Sequence, residues 1–300
     1  MERPLSEFQE LLNACFAPSF IISLAGPNIC ICGTIFLGSP IVQRLTDYIW
    51  LANSRIIDDE NVLRIARILW ALKNALHRLR QYYAELTQPA NVKMRFYPLA
   101  TKYKDGARTV SFEYLDFLRG PGEACVTFLA REVDAPARKV VVKFVERYGE
   151  AAHRHLAAAG LAPTLLYYGD IWLSGPEQQG CGTRKMVVMK YIEGKTAAGY
   201  REIPNGVQAA VRRAVQLLHT HTPPLVHGDI RLPNIIIADG AEGESLEDRI
   251  KIVDFDWAGT AGEVRYPFNL SSKIRWPTGV ADHALILPAH DIEMVDRLAA

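Results

Sequence analysis

In the stretch LVHGDIRLPNIII, residues 225–237, a His-x-Asp is followed by four residues and then an Asn. Asp229 is a carboxylate able to accept a hydroxyl proton or orient a nucleophile. Asn234 offers an amide oxygen suited to a hard cation such as Mg²⁺. His227 is placed to brace the loop rather than react. HGD alone also suits an Asx-type turn between a helix and a strand. Further on, in IVDFDWAG, Asp254 stands at the C-terminal end of an apolar strand. There a carboxylate reaches a cation without being buried unpaired. Asp256, two residues later, is expected to point the same way. Two acids and an Asn near one point read as a Mg²⁺ site for a nucleotide's phosphates. Earlier, in KVVVKFV, Lys143 shares a strand face with Val141 and Val145. A lysine among β-branched residues either snorkels at an edge or aims at an anion. Glu150 begins the helix that follows and is the acid expected to reach back to Lys143. It is equally an acidic first-turn residue of the kind the helix dipole favours.

These residues need strands and helices to hold them. From residue 96 onward VSFEYLDF, ACVTFLAREV, ARKVVVKFVE, TLLYYGDIW and KMVVMKYIEG are β-rich, five strands with one helix after the third. That helix, GEAAHRHLAAAG, ends at Gly160 and Pro163. VQAAVRRAVQLLHTH is helical and stops at Pro223-Pro224. NIIIAD and RIKIVDF are short strands flanking the polar loop GAEGESLED. Before residue 96, FIISLAG and ICICGTIFLG read as a hairpin. A long helix opened by Asp58 carries Ile65, Ile68, Leu69, Leu72, Leu76, Leu79 and Tyr83 on one face. TQPANVK, 87–93, reads as a linker.

The order strand Lys, helix Glu, H-x-D-x-x-x-x-N, strand-D-F matches the protein-kinase signature set in sequence and in context. From about residue 108 the chain resembles the protein-kinase-like superfamily. The resemblance implies an α+β, two-lobed fold with a minimal C-terminal lobe and an N-terminal hairpin-plus-helix extension. The extension is expected over 1–95 and the kinase-like domain over 96–300, with lobes of 96–192 and 193–300. It also implies ATP and Mg²⁺ as cofactors. Lys143 would contact the α/β-phosphates and pair with Glu150, Asp229 would be the catalytic base, and Asn234 and Asp254 would hold Mg²⁺. Met189 would be the gatekeeper, and the backbone of Lys190 and Ile192 would meet adenine. The whole chain, including CGTIFLGSPIVQRLTDYIWL, is similar to uncharacterised fungal kinase-like proteins, a match that gives no function.

The pattern departs from the family in several places. RGPGEACVTF offers Gly120 and Gly122 but not a full glycine-rich loop, so fewer backbone donors face the phosphates. HGD replaces HRD and DFD replaces DFG, both as in aminoglycoside and choline kinases. Arg231 stands where a lysine commonly flanks the transferred phosphate, keeping the charge with a different geometry. No A-P-E follows, and only 46 residues remain after Asp254, with Asp291 placed to brace the catalytic loop from beneath. The expected function is ATP-dependent transfer of the γ-phosphate to a protein Ser/Thr hydroxyl. The alternatives are a small-molecule kinase and a pseudokinase that acts as a binding module.

Composition narrows the partners. The net charge is +1, so no global field favours nucleic acid or a membrane surface. Five cysteines, including the lone pair Cys30 and Cys32, form no dense framework and read as free thiols of a reducing compartment. His153, His155, His219 and His221 lack carboxylate or cysteine companions at zinc-ligand spacing. The apolar N-terminal run is broken by Pro18, Gly26, Pro27 and Pro40, and the basic region of a signal peptide is lacking. A cytoplasmic or nuclear protein is expected, with an acceptor of protein or small-molecule type and a partner at the N-terminal helices as a further option.

Overall fold

A two-residue turn at Gly26-Pro27 closes the hairpin of β1 (Ser19–Ala25) and β2 (Asn28–Phe36), with Gly26 at φ +57°, a left-handed backbone that suits glycine. The computed structural model describes residues 5–36, 40–52, 59–87, 96–119, 126–173, 183–240 and 244–299. Helices and antiparallel sheets together make the fold α+β. The chain divides into two compact units, Met1–Tyr97 and Pro98–Ala300, so the dividing point lies two residues beyond the 95/96 expected from sequence.

In the first unit, α1 (Leu5–Ala14) precedes the hairpin, β3 (Pro40–Arg44) and β4 (Ile49–Trp50) extend its sheet, and α2 (Asp59–Ala84) follows. Asp58 lies outside the described residues. Ile65, Ile68, Leu72, Leu76, Leu79 and Tyr83 of α2 are half-buried as the pattern predicts, while Leu69 is exposed. No α2 residue is fully buried. Cys15, Cys30 and Cys32 are free thiols. Among the described residues no helix is long and apolar enough to cross a membrane.

The second unit opens on a six-stranded antiparallel sheet. Its strands are β5 (Lys102–Asp105), β6 (Arg108–Arg119), β7 (Thr127–Glu132), β8 (Lys139–Val145), β9 (Leu165–Asp170) and β10 (Lys185–Lys190), in the order β5-β6-β7-β8-β10-β9. Sequence reading expected five strands. It missed β5, whose KYKD is polar and whose one signal was the following Gly106 turn. The helix α3 (Glu150–Ala158) joins β8 to β9. Beyond the sheet lie β11 (Gly194–Thr196), α4 (Val207–His219), β12 (Leu225–Val226), β13 (Ile235–Ala238), α5 (Leu246–Arg249), β14 (Ile250–Ile252), β15 (Gly259–Thr260) and α6 (Pro288–Asp296). Within the expected polar loop, Ser245 accepts from the Asp248 N–H at 3.3 Å and so starts α5.

The three- and four-residue spacing of Val207, Ala210, Val211, Ala214, Val215 and Leu218 buries one face of α4. It packs into a core with Ile235, Ile237, Ile250, Ile252 and Phe255. The β13-β14 pair is apolar on the core side, so its two loops, 227–234 and 253–258, emerge from one rigid platform.

Candidate active site

The loop 227–234 is built from below. Asp291 of α6 is fully buried and accepts hydrogen bonds from the backbone N–H of His227 (2.8 Å) and of Gly228 (2.7 Å). His219 Nε2 lies 3.3 Å from the same carboxylate. The bracing role expected of Asp291 is thus a structural fact. His227 Nδ1 accepts from the Asp229 N–H at 3.2 Å, which makes Nε2 the protonated nitrogen, and Nε2–H donates to Val253 O at 3.2 Å. Gly228 sits at φ +80°, and a Cβ there would come within 2.9 Å of Ile286. This explains physically why glycine follows His227.

Above that brace Asp229 is nearly buried and chelated. Arg231 grips it with two nitrogens, Nε on Oδ1 and Nη2 on Oδ2, the second at 2.6 Å. Asn234 Nδ2 donates to Oδ2 at 2.7 Å and to the Asp229 carbonyl at 3.0 Å. The bond to Asp229 raises the Arg231 pKa above its ordinary value, outweighing partial burial. A carboxylate has about four acceptor positions, so this one is oriented by its partners with room for another donor.

The second acid pair meets Lys143. The residue is 3% exposed, and its ammonium bonds Asp254 Oδ1 and lies 2.6 Å from Asp256 Oδ1. Both acids therefore point the same way, as expected. Asp254 has φ +71°, a left-handed backbone that costs a non-glycine residue of order 1–3 kcal/mol. The two acid-bearing segments are tied together where the Val253 N–H donates to Asn234 O at 3.0 Å and Val253 O accepts from His227.

Glu150 is not brought to Lys143, a correction to the expected pairing. It accepts from Arg154 Nε at 2.8 Å, one turn along α3 on the exposed side. The reason lies at Gly149, whose N–H donates to Phe255 O at 2.8 Å and whose missing side chain would sit 2.5 Å from Ala258. This contact pins the start of α3 to the turn after Asp254 and turns Glu150 away.

Sequence reading also missed the backing of that turn. His153 is fully buried and stacks on Phe255 at 4.5 Å and 7° between planes. Its Nδ1 accepts from Tyr148 O–H (2.5 Å), leaving Nε2–H to donate to Pro163 O (2.7 Å). Burial drives its pKa down to about 4. Burial, then Asp256 and Asp254, raises the Tyr148 pKa well above its ordinary value. The one signal in the sequence was a His inside an Ala-rich helix.

A cavity of about 220 Å³ opens beside Lys143 and Asp254. Met189, Lys190 and Ile192 line it. The Lys190 N–H donates to Thr164 O (2.9 Å) and the Tyr191 N–H to Lys139 O (3.1 Å). Among the described residues nothing accepts from the Ile192 N–H. Gly120 and Gly122 lie outside the described residues.

Among the described residues no three His, Cys, Asp or Glu side chains converge on a point. Asp254, Asp256 and Asn234 make a leaner donor set. It fits Mg²⁺, which is held by one or two carboxylates together with substrate phosphates. The two carboxylates share the Lys143 ammonium. No protein-family model matches this chain, and no curated protein matches it in sequence.

Proposed function

We propose that residues 98–300 form an ATP-dependent, Mg²⁺-requiring phosphotransferase with a two-lobed, protein-kinase-like fold. The observation that carries this reading is the joining, through Val253, of a chelated acid–amide loop to a lysine bridged by two acids. The sheet order, with α3 between β8 and β9, supports the same reading.

In this reading the adenine lies against Met189 and meets the backbone of Lys190 and Ile192. Lys143 leaves its two acids in part to contact phosphate oxygens. Asp254, Asp256 and Asn234 would hold Mg²⁺, which neutralises phosphate charge when bound. Asp229 accepts the acceptor's hydroxyl proton as the new O–P bond forms and the bond to ADP breaks. Such transfers need little driving force from the base and much from positioning, and Arg231 and Asn234 supply that positioning. The acceptor is a hydroxyl, with a protein Ser/Thr preferred.

One observation favours a second reading, a binding module without turnover. Lys143 is already satisfied by Asp254 and Asp256, so the phosphates must compete for it. Calorimetric titration with Mg²⁺-ATP, wild type beside Asp254→Ala, separates the two. Metal-dependent binding that weakens at least about tenfold in the variant is expected. No binding at millimolar nucleotide would overturn the phosphotransferase reading.

A further inference from the structure

Beside Arg231, the partner of Asp229, lies a second cavity of about 250 Å³. Its walls are the loop at Ile230–Pro233, the segment Ile274–Pro277, and Met294, Arg297 and Leu298 at the C-terminal end of α6. The floor is apolar, with Ile230 and Met294 buried. The polar groups in its lining are arginines: Arg231, Arg275 and Arg297.

Two of the three are already neutralised. Arg231 is chelated to Asp229, and Arg297 is paired with Glu293. Arg297 also donates through Nη1 to the Arg275 carbonyl at 2.6 Å, which ties that segment to the helix end. The Arg275 guanidinium has no ion pair or hydrogen bond among the described residues. Trp276 is fixed beside it. Its Nε1–H donates to Ser271 O at 2.9 Å, and Arg231 lies 5.8 Å from its ring centroid. Of the three arginines lining this apolar, aromatic-walled hollow two are paired with acids, which leaves the exposed Arg275 as the cation at its edge, with Arg231 standing between the hollow and Asp229.

Resting on the phosphotransferase reading, we propose that this cavity receives the acceptor and selects one that carries an anionic group beside its hydroxyl. Arg275 meets the carboxylate or phosphate of the acceptor, and Trp276 and the apolar floor cover its carbon skeleton. A cation such as choline or an aminoglycoside would meet the unpaired guanidinium and be repelled. The hollow, at about 250 Å³, has room for one acidic side chain or one small hydroxy acid. The shared chemistry is therefore a hydroxyl with an anion close by, carried either by an acidic polypeptide or by a free acid.

The test is calorimetry on the full chain with four probes: a Glu-rich serine peptide, a Lys-rich serine peptide of equal length, glycerate and choline. The Glu-rich peptide or glycerate is expected to bind, and the one that does identifies the source. Its Kd should rise at least about tenfold in Arg275→Ala, the usual scale for a lost charge-assisted bond, and recover most of the way in Arg275→Lys. Arg275 is exposed, so both variants should fold. Tighter binding of choline or the Lys-rich peptide, an unchanged Kd in Arg275→Ala, or no binding of any probe would overturn the proposal. Mg²⁺-ATP affinity, measured on the same preparations, is expected to be equal in wild type and Arg275→Ala. Its absence in wild type would remove the phosphotransferase reading and the acceptor role, while the peptide and glycerate titrations would still decide whether the hollow binds anions.

Discussion

The two acid-bearing turns are held in opposite ways. The turn at Asp229 rests on a buried carboxylate, Asp291, that takes two backbone N–H groups, and every partner of His227 is neutral or fixed. The turn at Asp254–Asp256 has left-handed backbone at its first acid, two carboxylates on one ammonium, and an aromatic stack behind it. The first is set before any ligand arrives. The second carries backbone strain and two acids that share one ammonium. A braced acid and a strained acid pair thus stand at the two chain ends of one β-hairpin.

Breaking the first turn should give the largest effects. On the proposed phosphotransferase reading, Asp229→Ala is expected to lower phosphate transfer by roughly 10²–10⁴ with Mg²⁺-ATP affinity unchanged, measured by steady-state turnover beside calorimetry. Loss of nucleotide affinity instead would mean that the two turns are not separable. Asp291→Ala leaves two buried N–H groups without acceptors, at about 1–3 kcal/mol each. Urea unfolding should show a loss of about 3–5 kcal/mol, and a loss below about 1 would deny that the loop is braced from beneath.

The second turn is open to a pH test through His153. Its folded pKa of about 4 lies below the ordinary 6.5 because burial disfavours the charged ring. The unfolded chain therefore takes up the proton first. The stability is fully present above about pH 6.5 and is lost as pH falls from there towards 4, by about 3 kcal/mol in all. Urea melts at about pH 7.5 and 5 should show this in wild type, and a flatter profile in His153→Phe, which keeps a ring against Phe255. Equal profiles would place the acid sensitivity elsewhere. The smallest effect is expected at Glu150, whose pair with Arg154 is exposed. Glu150→Ala should change stability and Mg²⁺-ATP affinity by less than about 0.5 kcal/mol. A larger loss of affinity would restore it as the partner of Lys143.

Much of this was legible because period and punctuation are local. KVVVKFV became β8, IIIA became β13, and VQAAVRRAVQLLH became α4, ending before Pro223. Asp229 and Asn234 stood out because H-x-D-x-x-x-x-N sets a loop length between two elements, and Asp254 because it follows an apolar strand. The partner of Lys143 was not legible. It depends on how the start of α3 packs, and that is decided by a close approach of Gly149 to Ala258 over a hundred residues away. The chelation of Asp229 by Arg231 was missed for a different reason: Arg231 was read only as a cation for the transferred phosphate, although residues two apart share a face in extended backbone and Arg231 is extended. Arg275 and Trp276 carried no signal, because their meaning comes from α6 lying opposite.

The contact at Gly149 has one more consequence, for cooperativity. The N-terminus of α3 hydrogen-bonds to Phe255, and the ring of Phe255 stacks on a side chain of the same helix. Helix and turn close a loop of contacts on each other, so neither can open alone. In hydrogen exchange the amides of α3 and of residues 255–258 should behave as one opening unit with a single free energy, and whatever steadies the turn should slow exchange along the helix by the same factor.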